Sequence, residues 1–135
     1  MRLAIATLIL AACAGTAWAQ ELLDGKAARQ ALLGVDMRGV HESSGTPFRE
    51  CITPRGVTAY WFGENFDEGR VRIDDAGLVC FSYRSTNYTS EACWTAYRIA
   101  GGNLRFESAR GSGEAFVTKA APRVRTCPGK DAPVS

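Results

Sequence analysis

The stretch G69-RVRIDDAGLVCFSYRSTNYTSEAC-W94 decides the fold. Val71 and Ile73 alternate with Arg70 and Arg72, the period-two pattern of a strand with one buried face. Asp74-Asp75-Ala76-Gly77 is a turn sequence, Leu78–Tyr83 reads as a second strand, Ser85–Tyr88 as another turn, and Ser90–Ile99 as a third strand. Centring the second turn between Thr86 and Asn87 pairs Cys80 with Cys93, Phe81 with Ala92 and Val79 with Trp94. Val79, Phe81, Tyr83, Ala92 and Trp94 then share one face, and both cysteines share the other with Ser82, Arg84 and Glu91. A one-residue slip would mix these sets, so the partition fixes the register. The stretch therefore predicts a hairpin clamped by a Cys80–Cys93 disulfide on its polar side.

Outward from this hairpin the chain keeps reading in twos. Strands are expected at Val35–His41, Phe48–Thr53, Val57–Phe62 and Glu114–Thr118, with another around Leu104 and Phe106 and a polar turn at Glu64–Gly69. About eight strands at roughly ten-residue spacing, joined by short turns, predict an all-β up-and-down antiparallel barrel or sandwich. One helix is expected, Asp24–Leu33, capped by Asp24, stapled by Leu23 and ended by Gly34 in a left-handed conformation. At about ten residues it needs a surface to dock on, at one end of the barrel or along an open edge.

Residues 1–19 have the basic start, apolar run and Ala17-Trp18-Ala19 ending of an export signal, and residues 20–135 form one β-barrel-like domain. Leu10-Ala11-Ala12-Cys13 also resembles a lipobox, which would anchor the chain through Cys13. Both readings place the mature protein outside the cytoplasm, periplasmic or secreted, with no transmembrane segment of its own. Both leave Cys51, Cys80, Cys93 and Cys127, which predicts two disulfides. Cys51–Cys127 follows by elimination. Without Arg2 the chain carries 15 basic against 14 acidic residues. That balance provides no electrostatic footprint for nucleic acid.

The chemistry-bearing residues are few. His41 is the one histidine, followed by Glu42, Ser43 and Ser44, and it is the candidate base for a hydrolase reading. There is no C-x-x-C spacing, so neither a metal site nor a cofactor is expected. Asp74-Asp75 and Asp67-Glu68 lie in turn sequences, where Asp bends the chain for its own reasons. Tyr60-Trp61-Phe62 cannot all face inward, because strand neighbours point to opposite sides. Trp61, Tyr83, Trp94 and Tyr88 are candidate rings for a barrel mouth that binds a small ligand, against the expectation of an interior filled by side chains. Arg70, Arg72 and Arg84 are candidates for an outer patch that recognises carboxylate or phosphate.

Leu32–Gly34, the Pro-x-Gly turn and aromatic strand at Pro54–Phe62, Gly69–Tyr83 and Cys93-Trp94 together resemble a family of small exported bacterial proteins known only as a domain of unknown function. The resemblance implies a secreted, β-rich domain and supplies no reaction. Exported bacterial lysozyme inhibitors are similar in architecture, and their inhibitory motif has no match here. The sequence thus points to a non-enzymatic binding or interaction module of the bacterial envelope. A surface that meets an envelope protein predicts an exposed aromatic patch; a small-ligand carrier predicts an apolar cavity touching Trp61 or Trp94. An inhibitor of an envelope-attacking hydrolase and, more remotely, an envelope hydrolase complete the alternatives.

Overall fold

Eight antiparallel strands close on themselves in strict chain order in the computed structural model, which describes residues 20–119 and 121–134. The expected export signal at residues 1–19, with Cys13, lies outside the described residues. The strands are β1 (Glu21–Leu22), β2 (Val35–His41), β3 (Pro47–Ile52), β4 (Val57–Phe62), β5 (Asn65–Ile73), β6 (Leu78–Tyr83), β7 (Ala92–Arg98), β8 (Leu104–Ser108) and β9 (Ala115–Thr118). From β2 to β9 each strand pairs with the next, and β9 returns to β2 through Gly39–Thr118, Val40–Val117 and His41–Phe116. This is the expected up-and-down meander, with closure removing the open edges a sandwich would keep. β1 lies outside the circuit and pairs Glu21 with Arg98 and Leu22 with Tyr97.

The hairpin register is Leu78–Thr95, Val79–Trp94, Cys80–Cys93 and Phe81–Ala92. Cys80 and Cys93 are bonded across it with their Cα atoms 4.0 Å apart. Cys51 and Cys127 form the second bond, Cα atoms 5.6 Å apart. β5 differs from its expected extent: it begins at Asn65, directly after a tight turn at Gly63. The polar residues that read as a turn are strand residues whose charges have partners. Asp67 accepts from the Ser85 backbone N–H and hydroxyl, and Glu68 pairs with Arg84 at 3.3 Å. Both partners lie in the 3-10 turn Arg84–Thr86 that follows β6.

Helix α1 (Gly25–Leu32) closes one end of the barrel. Asp24 caps it by accepting from the Ala27 N–H at 2.8 Å, and Gly34 turns the chain at φ +73°. Gly25 packs so tightly on the β5–β6 turn that a Cβ there would lie 2.3 Å from the Asp74 carbonyl oxygen. Leu23, Ala28 and Leu32 are fully buried against Val35, Ile52, Val79, Ala96 and Leu104 from the strand ends. Each buried leucine contributes about 2 kcal/mol, enough to seat a helix too short to stand alone.

The C-terminal segment runs back over the outside of β2, β3 and β4. The Val124 N–H donates to the Gly34 carbonyl at 2.9 Å, Arg123 bridges to Val35, and Cys127 is bonded to Cys51. Ala132 and Val134 then cover Cys51, Ala59 and Trp61, forming a second, smaller core on the outer face.

Candidate functional site

Opposite the helix, inward-facing side chains leave a cavity of about 170 Å³. Its floor is buried: Met37, Phe48, Glu50, Phe81 and Phe106. Its upper wall is half-buried, formed by Tyr60, Tyr83, Trp94 and Phe116, with exposed Ala92 at the mouth. The interior is thus not filled by side chains. Phe116 is the hub of the ring, meeting Phe48 at 5.1 Å and Trp94 at 4.9 Å between centroids, both edge-on. Tyr60 continues the wall, 6.4 Å from Phe48 and 5.4 Å from Tyr83.

Two glycines make room for these rings. Gly39 pairs with Phe48 and Gly69 with Tyr83 across neighbouring strands. A Cβ on Gly39 would lie 2.8 Å from the Phe48 ring, and one on Gly69 would lie 2.7 Å from the Tyr83 ring. Each ring therefore lies over the backbone of its glycine partner, a cross-strand arrangement that fixes the ring and leaves the centre empty.

Glu50 is the one charged side chain on the cavity wall among the described residues. It is 4% exposed. Tyr83 donates its hydroxyl to Glu50 Oε2 at 3.1 Å, and Thr58 contacts Oε1. Removal from water pushes the Glu50 carboxyl up to about 8, against the smaller opposing effect of these hydrogen bonds. The Thr58 hydroxyl, which donates to Glu50 Oε1, also lies 3.0 Å from the Cys51 carbonyl oxygen. Burial together with the Glu50 carboxyl raises the phenols of Tyr60 and Tyr83 as well. Sequence reasoning missed Glu50, Thr58, Tyr60, Phe48, Phe106 and Phe116. A signal for Glu50 was present, since it alternates with Phe48 and Ile52 on the apolar face of β3.

The other sequence candidates are placed as follows. Tyr83 and Trp94 line the cavity. Trp61 does not: it faces outward, 3% exposed beneath the C-terminal segment, donating Nε1–H to the Lys130 carbonyl at 3.0 Å. Tyr60 and Phe62 take the inward positions on either side of it, so strand alternation sends Trp61 out. Tyr88 sits at the hairpin tip, 46% exposed, with the Arg70 guanidinium 5.7 Å from its ring centroid. Arg72 is paired with Glu91 at 2.8 Å and Arg84 with Glu68. The three arginines are thus each partnered on the outer face. Cys80, Cys93 and Glu91 lie close together, but both sulfurs are in the disulfide and Glu91 is held by Arg72.

His41 lies at the mouth, its ring 4.7 Å from Phe116. Its Nδ1, at the end of β2, is 3.0 Å from the Ser43 hydroxyl and 3.3 Å from that of Ser44, both in the exposed turn that follows. Neighbouring Glu42 is engaged by Arg105 at 2.7 Å. The carboxylate pairs serve the backbone: Asp74 accepts from the Leu78 N–H at 2.8 Å, and Asp75 pairs with Arg29. A second crevice, about 250 Å³, lies beside α1 with Arg98, Lys119 and Arg123 at its edge. Arg123 is spent on the helix end, donating to the Gln30 and Leu33 carbonyls, and Arg98 approaches Glu21 at 3.8 Å.

Fold and site together define a closed, eight-stranded, up-and-down barrel, plugged at one end by a helix and holding an aromatic pocket with one buried carboxyl at the other. No protein-family model matches the chain, and no curated protein or solved structure does either. Among the described residues no helix is long and apolar enough to cross a membrane.

Proposed function

We propose that this protein is an exported, non-enzymatic binding protein of the bacterial envelope that carries a small ligand in the barrel interior. The observation that carries the reading is the cavity: seven rings and one carboxyl surround about 170 Å³ of space open at the mouth. A cavity of roughly 150 Å³ accommodates benzene, so the pocket matches a single ring or a group of that bulk. An eight-stranded barrel is wide enough to hold one such ligand. The two disulfides are in keeping with an oxidising compartment outside the cytoplasm.

A surface-binding role would be supported by an exposed aromatic patch. Among the described residues, the exposed large apolar ones are Leu22, Val40, Val57 and Tyr88, which lie on β1, β2, β4 and the β6–β7 loop as single residues. Scattered residues of this kind are ordinary surface. The test is ligand-detected NMR with toluene on the disulfide-bonded protein. Saturation transfer to toluene is expected, together with its loss in Ala92→Phe, which places a ring in the mouth. No transfer to toluene would remove the reading.

A further inference from the structure

Seven rings alone would suit any apolar ligand, and an apolar ligand leaves Glu50 without a role. A carboxyl in the floor of a hydrophobic cavity costs stability that a leucine or glutamine there would not. It is nevertheless held firmly, with Tyr83 and Thr58 each touching one of its oxygens. Among the described residues no lysine, arginine or histidine side chain lines the cavity to neutralise it. Aromatic walls around one carboxyl, with no resident cation, form the environment that recognises an ammonium carrying methyl or alkyl groups. The ring quadrupoles attract the diffuse positive charge, and the alkyl groups fill the apolar volume.

We propose that the pocket selects a small organic cation, an alkylated or methylated ammonium of about single-ring bulk, which pairs with Glu50 inside the ring formed by Phe48, Tyr60, Tyr83, Trp94 and Phe116. This rests on the ligand-carrying reading above and adds the ligand's charge. Before a ligand enters, the buried carboxyl holds its proton. The entering cation takes the proton's place, the proton leaves to solvent, and charge is conserved. The titratable groups facing Glu50 are Tyr83 on β6, Tyr60 on β4 and Asp67 on β5. The two phenols stay neutral through the physiological range, so the released proton comes from Glu50.

The experiment compares choline with 3,3-dimethylbutan-1-ol, in which carbon replaces the charged nitrogen at the same shape. Isothermal titration at pH 7 is run in phosphate and in Tris, whose different ionisation heats report proton release. Choline is expected to bind at least tenfold more tightly than the alcohol and to release close to one proton. In Glu50→Gln the preference and the proton release are expected to vanish while toluene still binds. Equal affinity of choline and the alcohol, or choline binding without proton release, overturns cation selection and leaves the pocket reading standing. Failure of choline, the alcohol and toluene together overturns both.

Discussion

The Tyr83 hydroxyl and the Glu50 carboxyl meet inside the barrel at 3.1 Å, joining β6 to β3 across the cavity instead of through the sheet. Burial of that carboxyl has a thermodynamic signature. Its folded-state value near 8 lies above the ordinary 4.5, so the folded protein keeps a proton that the unfolded chain releases. Stability from this group is full below about pH 4.5 and falls by about 1.4 kcal/mol per unit as pH rises towards 8, then levels off. Glu42 and Glu91, held low by Arg105 and Arg72, act in the opposite direction and only below their ordinary 4.5. Urea unfolding between pH 5 and 9 should therefore show a declining curve for the native protein and a flat one for Glu50→Gln. The variant should be more stable by at least about 2 kcal/mol at pH 8. Parallel curves would mean that Glu50 is ionised in the folded protein.

The two disulfides close loops of very different length, with sequence separations of 76 and 13. Loop-closure entropy assigns about 4.5 kcal/mol to Cys51–Cys127 and about 3 kcal/mol to Cys80–Cys93. Replacing each pair by serine and measuring urea midpoints should rank them in that order. The Cys51/Cys127 variant should also lose the cover over Trp61, seen as a red shift of its emission in a Trp94→Phe background. The opposite ranking would show that the short clamp organises the unfolded chain more than loop length allows.

The fold was legible because its information is local. Alternation of Val71 and Ile73 with arginines, and the split of Val79, Phe81 and Trp94 from the cysteines, need only neighbours on the same or the next strand. The cavity was less legible, because its wall comes from seven different strands and depends on what two glycines omit. Trp61 shows the limit best. Its strand and its alternation were readable, but its cover is a segment some 70 residues later that has no strand pattern of its own. Glu50 interrupts the apolar face that Phe48 and Ile52 share on β3, a signal present in the sequence that the sequence reading did not use.

Gly69 tests whether the empty position beneath Tyr83 matters. An alanine Cβ would lie 2.5 Å from the Ser82 carbonyl oxygen and 2.7 Å from the Tyr83 ring, so backbone or ring must move. Gly69→Ala should cost about 1–3 kcal/mol, the range for overpacking, and weaken toluene binding because Tyr83 is displaced from the wall. Gly129→Ala is the control: nothing lies within 4 Å of its Cβ, and its effect should stay within about 0.5 kcal/mol. Thermal unfolding of the two variants distinguishes a built pocket from a tolerant one.

Beneath the C-terminal segment, Arg49 makes a two-pronged contact with Asp36 at 2.9 and 2.7 Å, donates to the Pro133 carbonyl at 2.6 Å, and lies 5.0 Å from the Trp61 ring centroid. The Asp36 and Arg49 side chains are only 11% and 7% exposed, so neither has water to fall back on. Removing one partner strands the other, which costs about 3–5 kcal/mol; replacing both with apolar groups removes the desolvation penalty along with the attraction. Asp36→Ala should therefore destabilise the protein by about 3 kcal/mol, and Asp36→Leu combined with Arg49→Met should recover most of that loss. The two outcomes separate because the Trp61 contact survives a methionine at position 49 through its flexible, polarizable side chain, whereas an unpaired guanidinium would pull the segment at Pro133 towards solvent. Urea midpoints for the single and double variants decide it. A double variant no more stable than Asp36→Ala would show that Arg49 holds the segment chiefly through its hydrogen bond to Pro133.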